Sequence, residues 1–95
     1  MNSRFVFVAY DIQENTVRNR LIELLFYYGL ERVQLSVFCG FVRENRFDDM
    51  VERIKSEFGK DEDKILVVNL CKGCLKNIES VNFDVPDKEW KHLVL

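Results

Sequence analysis

Apolar positions along this chain fall into blocks with two different periods. Residues 4–10 read Arg-Phe-Val-Phe-Val-Ala-Tyr, with Phe5, Phe7 and Ala9 on one side and Val6, Val8 and Tyr10 on the other. A strand that is apolar on both faces needs cover on both. The run stops at Asp11, and from about 14 to 28 the period becomes helical, with Val17, Leu21, Leu24, Leu25 and Tyr28 on one stripe. Gly29 suits the left-handed residue that ends a helix. Counting roughly 100° per residue puts Arg18 and Arg20 on opposite flanks of the stripe. The same count puts Ile22 and Phe26 on the far face, a candidate contact surface.

The segment 31–43 has room for two short strands. A turn at Gly40 leaves only Phe41, Val42 and Arg43 for the second, so the turn is expected near 34–36, between strands at 31–34 and 36–43. Asn45 is the expected cap of a second helix over about 45–58, whose stripe is Phe47, Met50, Val51, Ile54 and Phe58. Gly59 closes it, Lys60-Asp61-Glu62-Asp63 is a polar loop, and 64–70 is a strand largely apolar on both faces. The order βαββαβ predicts an α+β, ferredoxin-like antiparallel sheet. Two helices cover one face of such a sheet, and the economical cover for the other is a second copy of the chain. The chain is expected to be one domain over 1–95, with a core to about 70 and a C-terminal segment at 71–95. After a break at Val85-Pro86-Asp87, the terminal run from Trp90 is expected to add an edge strand to the partner subunit.

Composition narrows the partners. With 95 residues, 47% hydrophobic and 32% charged, this is a globular chain, and its net charge of −2 argues against bulk electrostatic binding of nucleic acid. A local basic patch or a bound metal stays open. No stretch is long enough to span a bilayer, and Met1-Asn2-Ser3-Arg4 does not begin a signal-peptide layout. Together with 3 cysteines, an odd number, this predicts reduced thiols and a cytoplasmic location. Cys71 and Cys74 have metal or redox spacing, but the remaining thiol and imidazole ligands are only Cys39 and His92, so free thiols are the expectation.

Asp11, at the end of a buried strand and ahead of a helix, has two readings. It is a ligand for a hard cation such as Mg²⁺, or an acid stabilised by the helix terminus. A single carboxylate makes a poor metal site, so the first reading needs Asp11 from a second subunit. Arg18 and Arg20 suit phosphate, and equally suit pairing with Glu14 and Glu23 on their own helix. Tyr10 and Phe38 read as core aromatics before stacking platforms. The same element order also admits an RRM-like RNA-binding module, of which Gly40-Phe41-Val42 is only a motif fragment, or a non-catalytic interaction dimer.

Four stretches, in order and without gaps, carry a family likeness: Tyr10-Asp11-Ile12, Arg18-Asn19-Arg20-Leu21, Tyr28-Gly29-Leu30, and Arg32-Val33-Gln34-Leu35-Ser36-Val37-Phe38 with Gly40 beyond. They resemble the CRISPR-associated Cas-two family, the smaller of the two core proteins of CRISPR spacer acquisition in prokaryotes. The resemblance implies a homodimer that bridges dimers of the larger CRISPR integrase, with spacer DNA lying across the assembly. It also implies metal-dependent endonuclease activity on single-stranded RNA or on DNA, with Mg²⁺ or Mn²⁺ held by Asp11 of each subunit. Tyr10, Arg18, Arg20, Arg32, Ser36 and Phe38 are implied to shape the site or hold nucleic acid. Many members carry an acid directly after the Ser-Val-Phe run, where this chain has Cys39.

Overall fold

A computed structural model describes residues 3–60, 62–70, 74, 77–79 and 81. The elements are β1 (Ser3–Asp11), α1 (Asn15–Tyr27), β2 (Glu31–Gln34), β3 (Val37–Arg43), α2 (Glu44–Glu57) and β4 (Lys64–Leu70). The strands form one antiparallel sheet in the order β2-β3-β1-β4, so β1 lies between β3 and β4. This is the expected ferredoxin-like arrangement. Among the described residues, no helix is long and apolar enough to cross a membrane.

The alternation in β1 sorts the two faces. Val6, Val8 and Tyr10 join Phe38 and Val42 of β3, and Ile65 and Val67 of β4, beneath the buried stripes of both helices. On the opposite face, Phe5 and Cys39 are buried, with Phe7, Val33, Phe41, Leu70 and Ile78 packed partly around them. Neither α1 nor α2 covers this second face, and Leu66 and Val68 are 62% and 37% exposed there. The two-sided hydrophobicity of strands one and four therefore reflects one covered face and one open apolar face.

Gly29 has φ 89°, with its amide donating to Phe26 O at 3.0 Å while the Leu30 amide reaches Leu25 O at 3.1 Å. These paired bonds are a Schellman ending, which satisfies two otherwise orphaned carbonyls of α1. The same connection passes close over β3. A Cβ at Gly40 would stand 3.2 Å from Gly29 O and 3.3 Å from Leu30 Cα, so only a glycine at this position lets β2 fold back against β3 without a shift.

Three details differ from the sequence reading. Asn45 does not cap α2. Arg43, still paired with Ser3 in the sheet, is the extended N-cap, and the Asn45 Oδ1 accepts from the Arg46 amide at 3.0 Å. Sheet pairing ends the strand one residue before the helix, and Glu44 supplies first-turn negative charge while bonded to Arg4 at 2.6 Å. Ile22 and Phe26 are not a separate far face. Ile22 packs against the core, and Phe26 sets its ring edge-on to Phe38 at 5.1 Å while staying 53% exposed. A helix lying across a twisted sheet touches it over more than its central stripe. Arg18 and Arg20 do not pair with Glu14 and Glu23; both reach backbone carbonyls that the tertiary fold brings within range. The C-terminal edge strand and Cys71 lie outside the described residues.

Two outcomes follow from this packing. Gly40→Ala should lower stability by about 1–3 kcal/mol, because two of the three nearest neighbours of the added methyl are backbone atoms, which yield less readily than a side chain. Urea unfolding should show this as a lower midpoint with an unchanged slope. Burial, helped by the neighbouring Glu31 carboxylate, pushes the Cys39 thiol up to about 11. The folded state then holds its proton above the ordinary thiol value of about 8.5, so stability falls as pH rises from there toward about 11. A urea series across that range should show the loss in the parent and a smaller one in Cys39→Ser.

Candidate functional site

Asp11 is the last residue of β1, and strand alternation places it with Phe7 and Ala9 on the open side of the sheet. Its cross-strand partner is Lys64, and the partner of Ala9 is Leu66. These four residues, with Tyr10 and Ile65, line an open depression of about 330 Å³. Asp11 is exposed, and its Oδ1 accepts from Gln13 Nε2 at 3.1 Å. α1 begins only at Asn15 with Glu14 as its N-cap, so Asp11 is bonded to a side-chain amide instead of to first-turn backbone amides.

A second depression, of about 480 Å³, shares Asp11 and is lined by Tyr10, Ile12, Arg18, Arg32, Leu35 and Ser36. Tyr10 fixes its rim. The Tyr10 hydroxyl donates to Leu35 O at 2.8 Å and the Tyr10 amide to Ser36 O at 3.1 Å, which ties the β2–β3 turn to the end of β1. Arg32 donates to the same Leu35 carbonyl at 3.0 Å and lies 5.7 Å above the Phe38 ring. Arg18 donates to Ile12 O at 3.1 Å and Gln13 O at 3.4 Å, and also bonds the Asn15 side chain. It thus sets the path of the link that carries Gln13 to Asp11. A guanidinium has five N–H donors, so both arginines keep donors for an anion at the mouth.

The fold therefore gathers Tyr10, Asp11, Arg18, Arg32 and Ser36 around one concavity. Phe38 lies beneath it, fully buried, 6.3 Å from the Tyr10 ring, and supports the site from below. Arg20 stands elsewhere. It bonds Glu57 O at 3.2 Å and covers the Phe58 ring at 5.1 Å, tying α1 to the end of α2. Sequence reasoning missed Gln13 and Lys64. Gln13, two residues after Asp11, was findable as a short-range partner, whereas Lys64 depends on the register of β4 against β1.

Cys39 sits opposite Phe7, which is four residues back along β1 from Asp11, or about 13 Å at strand spacing. Within one chain, an acid at that position would not reach the ligand sphere of Asp11. Among the described residues no group of three or more His, Cys, Asp or Glu comes together. The exposed hard-oxygen carboxylate of Asp11 fits Mg²⁺ or Mn²⁺, which take one or two carboxylates with water completing the shell. By itself it is an incomplete ligand set for such an ion.

The model for the CRISPR associated protein Cas2 family matches residues 4–78. A relative named CRISPR-associated endoribonuclease Cas2 1, from Methanospirillum hungatei, is 42% identical over 86 residues, covering 90% of each chain. The crystal structure of Streptococcus pyogenes Cas2 superposes with a TM-score of 0.66 at 26% identity, over 82% of this chain and 99% of that one. A chain of a partial Cas6-RT-Cas1–Cas2 complex superposes with a TM-score of 0.61 at 28% identity, over 83% of this chain and 91% of that one. With the likeness running from Arg4 through the site and both helices to the end of β4, this chain belongs to the Cas2 family of CRISPR-associated proteins.

Proposed function

We propose that this chain serves CRISPR spacer acquisition as a homodimer packed open face to open face, bridging the larger integrase and cleaving phosphodiesters with a divalent ion held by paired Asp11 carboxylates. The observation that carries the reading is that Asp11 stands on the same side of the sheet as half-buried Ala9 and the exposed apolar residues Leu66 and Val68. Covering that face with a second copy brings two carboxylates toward one axis, where hard cations find the ligand set they prefer. The relative named an endoribonuclease supports the chemistry, and the superposed Cas1–Cas2 assembly supports the partner. An RNA-reading sheet surface is disfavoured, because Phe5 is buried and packs edge to face against Phe41 at 5.1 Å, so these two rings do not lie side by side with open faces.

In this reading each residue has a separate task. Asp11 supplies the ligand oxygen, oriented by the Gln13 amide. Bound there, Mg²⁺ or Mn²⁺ supplies Lewis-acid activation of water and offsets charge on the scissile phosphate. Arg18 and Arg32 present their remaining N–H donors to phosphate oxygens at the mouth. Tyr10 holds the Leu35–Ser36 turn that forms the rim, and Ser36 offers a hydroxyl there.

Asp11→Asn should leave the dimer intact and abolish metal-dependent cleavage of single-stranded RNA or duplex DNA, a loss of 10²-fold or more on the scale of a removed transition-state charge stabiliser. Undiminished cleavage by the purified variant would remove Asp11 from the chemistry. Leu66→Glu should convert the dimer to monomer in sedimentation velocity while retaining the far-ultraviolet spectrum. A dimer that survives this change would move the interface away from the open face.

A further inference from the structure

We propose that Lys64 is a phosphate-positioning residue of the Asp11 site, holding the phosphate next to the one at Asp11 on the same nucleic-acid strand. This rests on the reading of Asp11 given above and adds a residue and a direction of strand travel to it.

Lys64 opens β4 directly opposite Asp11, so both side chains rise from the same face of neighbouring strands. Directly opposed antiparallel residues have Cβ atoms about 4.5–5.5 Å apart. They border one depression whose walls are otherwise Ala9 and Leu66 beside the strand backbone. A simple cross-strand ion pair is the obvious alternative, and it does not form. Among the described residues the ion pairs within 4 Å are Arg4–Glu44 and Arg53–Glu57. Lys64 is exposed, and its chain neighbour Asp63 turns one carboxylate oxygen, Oδ2, into the interior.

Charge placement gives the direction. Asp11 is the charged residue common to both depressions, next to the Tyr10 they also share, with Arg18 and Arg32 lining one and Lys64 lining the other. A strand laid across Asp11 meets a cation on each side, while the carboxylate and its ion take the phosphate between. In an open-face dimer Leu66 is covered and Lys64 remains at the rim, where a backbone can pass. A flexible ammonium suits a phosphate met as a point charge, whereas the fork of an arginine suits a fixed bidentate contact.

The test measures binding of a fluorescent single-stranded RNA, and of a duplex DNA of equal length, against salt concentration. It uses the full chain with Asp11→Asn in the background, so cleavage does not interfere. Adding Lys64→Gln should weaken binding and reduce the slope of log K against log salt by about 0.7–0.9 for each Lys64 engaged. Lys64→Arg should restore most of both, and unchanged urea midpoints should exclude loss of fold. An unchanged slope, or an arginine variant as weak as the glutamine one, overturns the proposal. If Lys64 acts only by neutralising Asp11, the Gln effect will appear with native Asp11 and vanish in the Asp11→Asn background, which also overturns it. If the Asp11 reading fails instead, Asp11→Asn alone will leave cleavage intact. A parent protein that binds neither nucleic acid overturns both.

Discussion

Everything in this fold hangs on the central position of β1. It pairs along its length with β3 on one side and β4 on the other, so its alternation sets which face each neighbouring strand presents. Even-numbered residues go under the helices and odd-numbered ones to the open face, and Asp11 belongs to the second set. A one-residue slip in either pairing would exchange whole faces. The buried rows Val6-Val8-Tyr10 and Phe38-Val42 make such a slip expensive, because each would trade apolar burial for exposure. The position of the carboxylate is therefore fixed by hydrophobic packing several residues away.

The edge of the site is held by a smaller set of polar contacts. The hydroxyl and amide of Tyr10 both bond the β2–β3 turn, and Arg32 returns to the same carbonyl. β2 is short, its pairing with β3 is irregular between Arg32 and Gln34, and Leu35 at its end is 82% exposed. Without the Tyr10 latch and the close approach permitted at Gly40, little would keep this turn beside Asp11. The arginines expected to bind phosphate are used first by the protein itself. Arg18 sets the β1–α1 link, Arg32 the turn, and Arg20 the contact between helices. Only the first two line the depression that Asp11 borders.

Cys39, where the family resemblance raised the expectation of an acid, changes meaning in this setting. Cys39 is buried among aromatics on the open face and keeps its proton well into alkaline pH. Its distance along the sheet from Asp11 makes it part of the packing of that face within its own chain. A neutral, small, buried thiol suits an apolar interface better than a carboxylate does, since an unpaired buried charge is costly.

Local pattern was enough to set the elements, their order and the two-faced character of β1 and β4. These are set by local periodicity and by glycine at a left-handed position, which act over a few residues at a time. The turn at Leu35–Ser36 was legible for the same reason, because the lengths of the flanking strands left it one sensible place. The family likeness singled out Tyr10, Asp11, Arg18, Arg20, Arg32, Ser36 and Phe38 as well, and neither it nor periodicity separated Arg20 from the other two arginines. Which distant residues meet was settled by packing. It set Lys64 against Asp11, drew Arg20 away to α2, turned Phe26 onto Phe38, and passed the cap of α2 from Asn45 to Arg43. Those outcomes depend on strand register and on backbone carbonyls that become available only when elements pack, and neither leaves a trace in the local pattern.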